Sequence, residues 1–132
     1  MTTPSKPFDL KSTFVVLQPD QSATAVEVTP TLYDDLNKSF EGFRDRRLVS
    51  CYSCESDWNI WEMHPAGDEI VYLLSGDVEL ILEREDFRGS VHLSEPGAYA
   101  IVPKGTWHTA KTSVPTSMLF VTPGEGTQHK PL

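Results

Sequence analysis

Three candidate metal ligands lie close together between Trp58 and Gly76, where the sequence is WNIWEMHPAGDEIVYLLSG. Glu62 and His64 are two residues apart in a run rich in aromatic and β-branched residues, so on a strand their side chains would share one face. The residues PAGD that follow have the composition of a tight turn, and Glu69 comes directly after them. We therefore expect a β-hairpin that brings the three side chains together at one corner.

A second turn with a candidate ligand lies between Gly97 and His108, in the sequence GAYAIVPKGTWH. A turn glycine, a five-residue strand and a Pro-x-Gly turn precede the histidine, which follows Gly105 after two further residues. This order reverses the chain and places His108 at the start of the next strand. The fold must bring it to the first corner.

Most of the chain reads as short β-strands separated by turns, which indicates a sandwich or a barrel. Val78, Leu80 and Leu82 alternate with Glu79 and Glu83, as expected for a strand with one face in water. The chain is expected to fold back as a second hairpin at residue 76. The predicted strands are 14–17, 25–28, 48–55, 58–63, 70–74, 78–83, 91–93, 98–102, 107–112 and 118–121.

One helix is predicted, over residues 32–43. Its start is indicated by Thr29 and Pro30, a capping hydroxyl followed by a proline at the first helical position. Its apolar side chains recur at intervals of three and four residues, and Gly42 lies near its end.

The composition excludes several classes of function. With 132 residues, 39% of them hydrophobic, the chain has the size and composition of one globular domain. A formal charge of −8 disfavours nucleic acid and anionic lipid as partners. No apolar run reaches the ~20 residues of a membrane span, and the first residues lack a hydrophobic signal core, so we expect a cytoplasmic protein.

The only cysteines, Cys51 and Cys54, form a lone CxxC. Flanking residues favour a strand over the helix N-terminus that activates redox pairs, so ordinary reduced thiols are predicted. His92 is expected to point outside the barrel and His129 to be exposed or to contact an arm, and neither is assigned to the site. The larger aromatic residues are predicted to pack in the core or line a pocket mouth: Trp58, Trp61, Tyr99, Trp107 and Phe120.

The two turn regions resemble the paired motifs of the cupin superfamily, G(x)5HxH(x)3-4E(x)6G and G(x)5PxG(x)2H. The first motif is present as Glu62, His64, Glu69 and Gly76 with the required spacing, and the second is complete from residue 97 to His108. Together the motifs extend over about half of the chain. Two positions depart from the pattern: Glu62 replaces the first histidine, and Ser56 replaces the glycine that begins the first motif.

The resemblance implies an all-β jelly-roll barrel, a double-stranded β-helix with one short N-terminal helix, and a divalent metal bound inside it. Its ligands would be His64, Glu69 and His108, with Glu62 either as a fourth ligand or as a catalytic base. Two imidazoles and a carboxylate suit Fe, Mn, Ni or Zn. The implied layout is an arm over 1–12, N-terminal strands and the helix over 13–47, a metal-binding barrel over 48–122 and a tail over 123–132.

Small cupins of this kind include sugar and sugar-phosphate isomerases and dioxygenases that act on small molecules. The metal would act as a Lewis acid or, if it is iron, as a centre that binds O2. A non-catalytic small-molecule-binding or sensory cupin is the alternative. Exposed edge strands are usually shielded from further pairing, and the resemblance to small cupins implies a dimer. We therefore expect a homodimer in which the N-terminal arm pairs with the second copy.

Overall fold

The computed structural model describes residues 6–132, which form eleven strands in two antiparallel sheets. This is the mostly β architecture predicted from the sequence. In one sheet the strand order is β2-β1-β3-β10-β5-β8, and in the other it is β11-β4-β9-β6-β7. The strands are β1 Thr13–Leu17, β2 Ala23–Glu27, β3 Arg47–Cys54, β4 Ile60–Met63, β5 Glu69–Ser75, β6 Val78–Arg84, β7 Phe87–Leu93, β8 Tyr99–Val102, β9 Trp107–Lys111, β10 Thr116–Thr122 and β11 Gln128–Pro131.

Neither of the two predicted hairpins forms. β4 and β5 belong to different sheets, as do β5 and β6, so each intervening turn carries the chain from one sheet to the other. The turn at Gly76 is tight: its φ is +93°, and a side chain there would overlap the backbone of Pro115 and Thr116. The prediction was wrong because turn composition indicates where the chain bends but not which strand each segment then pairs with.

The main core lies between the two sheets. The alternation predicted for β6 is present, since Val78 and Leu80 are fully buried and Leu82 is 6% exposed. Equivalent inward positions on β5, β7, β8, β9 and β10 complete this core. Its buried members are Val71, Leu73, Val78, Leu80, Leu82, Leu93, Ala100, Val102, Ala110, Met118 and Phe120.

A second, smaller core holds the helix against β1 and β3. The helix α1 is Leu32–Ser39, followed by a single 3-10 turn, Glu41–Phe43, so the predicted helix over 32–43 is too long. Glu41, Gly42 and Phe43 all have positive φ, which ends the α-helix. The Thr29-Pro30 start was also wrong, because Leu32 is the first helical residue. Leu32, Leu36 and Phe43 pack with Phe14, Val16 and Leu48.

The strand β11 was not predicted. It pairs antiparallel with β4, and His129 lies opposite Glu62. β7 also begins four residues before the predicted strand, at Phe87. Of the predicted N-terminal arm, residues 1–5 lie outside the described residues, and Asp9 accepts hydrogen bonds in a turn that leads into β1. The described residues contain no helix long and apolar enough to cross a membrane.

Candidate metal centre

The two sequence motifs converge on one cluster of side chains. The backbone N–H of Gly105 donates to the carbonyl oxygen of His64 over 3.0 Å, which joins the two turns. Glu62 on β4 lies opposite His108 on β9, and Glu69 is the first residue of β5. One donor atom from each of these four side chains lies within 4.8 Å of the other three.

The cluster is largely shielded from water. His108 is fully buried, Glu69 is 2% exposed and His64 is 4% exposed. The side chain of Glu62 is 23% exposed, so Glu62 occupies the side of the cluster that faces solvent.

The contacts within the cluster are short but are not aligned as hydrogen bonds. His64 Nε2 lies 3.0 Å from Glu62 Oε1 and 3.2 Å from Glu69 Oε2, and His108 Nε2 lies 3.1 Å from Glu69 Oε1. Three of these buried atoms have no hydrogen-bond partner within residues 6–132, namely His64 Nε2, Glu69 Oε1 and His108 Nε2. Buried polar atoms are normally paired, so this convergence needs an explanation.

A divalent cation fits these spacings. Two ligand atoms at right angles around an ion with bonds of about 2.1 Å lie about 3.0 Å apart. The three contacts of 3.0–3.2 Å between donor atoms match that separation. Imidazole nitrogen and carboxylate oxygen are the usual donors to Mn, Fe, Ni and Zn, and two carboxylates offset the charge of a divalent ion. The residues present therefore fit the metal that the motifs imply.

The tautomer of His64 follows from its neighbour. Thr127 Oγ1 donates to the carbonyl oxygen of Gly124 over 3.0 Å, which uses its one hydrogen. It must therefore accept from His64 Nδ1, which is 2.8 Å away. When His64 is neutral, its Nε2 consequently carries a lone pair and faces the cluster. On the other side, Thr122 Oγ1 donates to Glu69 Oε2 over 2.6 Å and holds that carboxylate.

The electrostatics of the cluster favour charged carboxylates and a charged imidazole. Burial would raise the pKa of Glu69, but His108 and His64 beside it lower that pKa from 4.5 to about 2. Burial would lower the pKa of His64, but Glu62 and Glu69 raise it from 6.5 to about 9. The pKa of Glu62 is lowered as well, because contact with His64 outweighs its burial. The metal-free site thus holds a proton that a cation can displace.

His129 contacts the cluster from the C-terminal strand. Its Nε2 lies 3.0 Å from Glu62 Oε2, and an ionised carboxylate can only accept, so the imidazole N–H donates. The prediction that His129 is exposed is correct, since its side chain is 52% exposed. His129 was not assigned to the site, and it lies outside the cluster of four donor atoms, although it contacts one member of that cluster. No local sequence pattern indicated this contact, because Glu62 and His129 are 67 residues apart in the chain.

A cavity of about 990 Å³ adjoins the cluster and opens to solvent. Glu62, His64 and Glu69 lie on its wall, together with His129. The charged side chains among its lining residues are acidic or histidine, and no lysine or arginine is found among those that the structure describes. The remaining wall is mixed. Its apolar and aromatic residues are Phe14, Tyr33, Leu36, Phe43, Leu48, Tyr52, Trp58, Ile60 and Phe120, and its polar residues include Asn37, Ser50, Ser56, Asn59 and Thr122.

The other residues considered from the sequence lie away from the cluster. His92 is exposed on β7 and pairs with Asp77, as predicted for a residue outside the barrel. Cys51 and Cys54 are both free thiols, and burial raises the pKa of each. Tyr99, predicted as a packing residue or part of a pocket mouth, is 61% exposed and does not line the cavity.

A family model described as a cupin domain matches residues 55–122, slightly more than half of the chain. The chain belongs to the cupin family. The match contains both motifs and all four residues of the cluster. A comparison of this cupin with curated proteins finds no match.

Solved structures similar to this chain include two oxalate decarboxylases and a dioxygenase. The enzyme from Lactobacillus farciminis, a formate complex, is 13% identical with a TM-score of 0.54 over 65% of this chain and 26% of its own. The enzyme from Bacillus subtilis, with Mn(II) centres, is 16% identical with a TM-score of 0.51 over 66% and 23%. Hydroquinone 1,2-dioxygenase from Sphingomonas sp. TTNP3, with 4-hydroxybenzoate bound, is 19% identical with a TM-score of 0.49 over 58% of each chain.

The likeness to the two oxalate decarboxylases, with TM-scores above 0.5, shows a shared fold. The chain spans 58% of the dioxygenase's length and about a quarter of each decarboxylase. Function must therefore be argued from the cluster and the cavity of this cupin.

Proposed function

We propose that this cupin binds one divalent cation through Glu62, His64, Glu69 and His108 and acts on a small molecule held in the adjoining cavity. The observation that carries the proposal is the convergence of buried donor atoms without hydrogen-bond partners, His64 Nε2, Glu69 Oε1 and His108 Nε2. A cation satisfies all three at once. The bound metal would supply Lewis-acid chemistry or, if it is iron, the binding of O2.

The protein side chains have separate tasks in this proposal. Glu69 is buried between the two histidines, so its charge offsets that of the ion where water is excluded. Thr122 and Thr127 fix the orientation of Glu69 and His64. Glu62 faces the cavity and serves as the fourth ligand, because its Oε1 lies within the cluster.

The cavity wall favours a substrate with a neutral, largely apolar body. A phosphate dianion is normally held by arginine, lysine or backbone N–H groups, and the carboxylates of Asp57, Glu62 and Glu69 on this wall repel it. Because the described lining residues include no lysine or arginine, sugar-phosphate isomerisation is disfavoured. Hydroxylated aromatic or similarly apolar compounds suit this wall, with their oxygen atoms toward the cluster and their apolar faces against Trp58 and Phe120. We therefore favour a dioxygenase-like reaction.

An activity screen tests this assignment. Protein reconstituted with Fe(II) is offered neutral phenols, aldoses and sugar phosphates, while O2 uptake and isomerised products are measured. We expect O2 uptake with phenols and none with sugar phosphates, and the His108→Ala variant is expected to be inactive. Isomerisation of a sugar phosphate would refute the substrate class. Ligand binding without turnover of any compound would instead favour the non-catalytic binding module.

A further inference from the structure

The C-terminal strand contacts the metal cluster at the position where this chain departs from the cupin motif. That motif has a histidine where Glu62 stands, and β11 places His129 directly opposite Glu62 in the strand register. His129 Nε2 lies 3.0 Å from Glu62 Oε2, while the other carboxylate oxygen, Oε1, lies 3.0 Å from His64 Nε2. The two oxygens of Glu62 thus have different neighbours.

We propose that His129 is a positioning residue of the metal centre, whose Nε2–H holds Glu62 Oε2 so that Oε1 stays directed into the cluster. The inference rests on the metal-binding role proposed above and adds to it a residue from outside both sequence motifs.

Glutamate needs such support more than histidine does. A glutamate side chain has three rotatable χ angles and loses more conformational freedom on being fixed than a histidine does. Glu62 is also the most exposed of the four cluster side chains, at 23%, so water competes for its oxygens. A hydrogen bond from an imidazole to one oxygen restricts the carboxylate before the cation arrives, and preorganised ligands bind with less entropic cost.

His129 acts through Glu62 and not as a fifth ligand. The cluster of donor atoms within 4.8 Å of one another consists of Glu62, His64, Glu69 and His108. His129 is 52% exposed, whereas both histidines of the cluster are 3% exposed or less. Among the described residues, the hydrogen bond of its Nε2 to the cluster is the 3.0 Å contact with Oε2 of Glu62.

The strand that carries His129 is held in place on both sides of that residue. All four residues of β11 pair with β4. Lys130 Nζ lies 4.4 Å from the ring centre of Trp107 and 5.9 Å from that of Trp61, which are cation–π distances. Before the strand, Thr127 is fixed between His64 and Gly124. His129 is therefore presented from an ordered strand, and it can restrain Glu62.

Metal affinity measured against a competing chelator tests the proposal in variants of the full chain. We expect His129→Ala to weaken binding of Mn(II) about 10- to 100-fold, as removal of a partner that orients a ligand typically does. His129→Gln keeps an N–H donor and should restore affinity to within about threefold of the parent protein. His129→Phe keeps a ring without a donor and should behave like alanine, which covers the case in which His129→Ala does not fold. His92→Ala is the matched control, since His92 on β7 is a histidine of similar exposure, 58% against 52%, that pairs with Asp77.

Three results would overturn the inference. Parent-like affinity in both His129→Ala and His129→Phe would show that the hydrogen bond does not restrain Glu62. Loss of one nitrogen coupling from bound Mn(II) in pulsed electron paramagnetic resonance of His129→Phe would make His129 a ligand. Absence of binding of Mn(II), Fe(II), Ni(II) and Zn(II) alike by the parent protein would reject the proposed function together with this inference, whereas the first two results leave the proposed function intact.

Discussion

Replacing Glu69 by glutamine should destabilise the metal-free protein in a pH-dependent way. The substitution keeps the shape of the side chain and its acceptor for Thr122 but removes a buried charge that lies between two histidines. The pKa of Glu69 is lowered from 4.5 to about 2, and at about 1.4 kcal/mol per unit this corresponds to about 3 kcal/mol of stability at neutral pH. A group whose pKa is lowered by folding stabilises the protein fully at pH values above its pKa in the unfolded chain, here 4.5. This stabilisation is lost as the pH falls toward the folded-state pKa of about 2.

The assay is urea unfolding of both proteins with a chelator present, followed by tryptophan fluorescence between pH 7 and pH 3. We expect Glu69→Gln to be less stable by about 3 kcal/mol at pH 7, with a difference that shrinks as the pH falls below about 4.5. Glu79→Gln, on the exposed face of β6, is the matched control and should change stability by less than about 0.5 kcal/mol. Equal stability of the parent and Glu69→Gln at pH 7, or a gap that widens in acid, would refute the reasoning.

Three other predictions concern the proton on His64, the turn at Gly76 and the outer face of the first sheet. The pKa of His64 is raised from 6.5 to about 9. The charged imidazole therefore stabilises the metal-free protein fully below pH 6.5, and this stabilisation is lost as the pH rises through about 9. Metal binding at pH 7 should therefore release about one proton, which calorimetry in two buffers of different ionisation enthalpy measures; no release would contradict the raised pKa. In thermal unfolding, Gly76→Ala should destabilise the protein by more than Gly105→Ala does. Both glycines have positive φ, but of the two only Gly76 lacks space for a side chain. Equal losses of stability in the two variants would contradict the clash. The homodimer remains a prediction, and the structure offers an apolar surface for it apart from the N-terminal arm: Tyr99 and Ile101 are 61% and 54% exposed on the edge strand β8. Ile101→Asp should therefore shift a dimer toward monomer in light scattering. A parent protein that is monomeric at micromolar concentration would contradict the homodimer.

Part of the cluster could be predicted from local spacing, and the meeting of His108 with the other three residues was implied by the resemblance to the cupin motifs. Two side chains two residues apart share a strand face, which accounts for Glu62 and His64. The Pro-x-Gly turn placed His108 at the beginning of β9, as the structure has it. The burial of alternate residues in β6 followed from the same parity, since two of its outward positions carry glutamates, Glu79 and Glu83.

What could not be predicted depends on pairing between distant segments. His129 meets Glu62 across 67 residues of sequence, and β11 has the composition QHKP, which lacks the apolar alternation of a half-buried strand. The sheet membership of β4, β5 and β6 is likewise decided by partners far along the chain. The helix ends earlier than predicted because residues 41–43 adopt positive φ. Phe43, in this backbone conformation, is buried in the smaller core, a tertiary contact that outweighs the local helical pattern.

The metal content of the purified protein, with and without His108, tests the central claim most directly. His108 is fully buried and its Nε2 lacks a hydrogen-bond partner among the described residues, so its replacement removes a ligand from the closed side of the cluster. After incubation with Mn(II), Fe(II), Ni(II) or Zn(II) and removal of free ion, elemental analysis should find about one equivalent of at least one metal per parent chain. His108→Ala and the larger His108→Gln should hold almost none while circular dichroism shows the same β-sheet content. Undiminished metal in both folded variants, or no metal in the parent protein, would contradict the account.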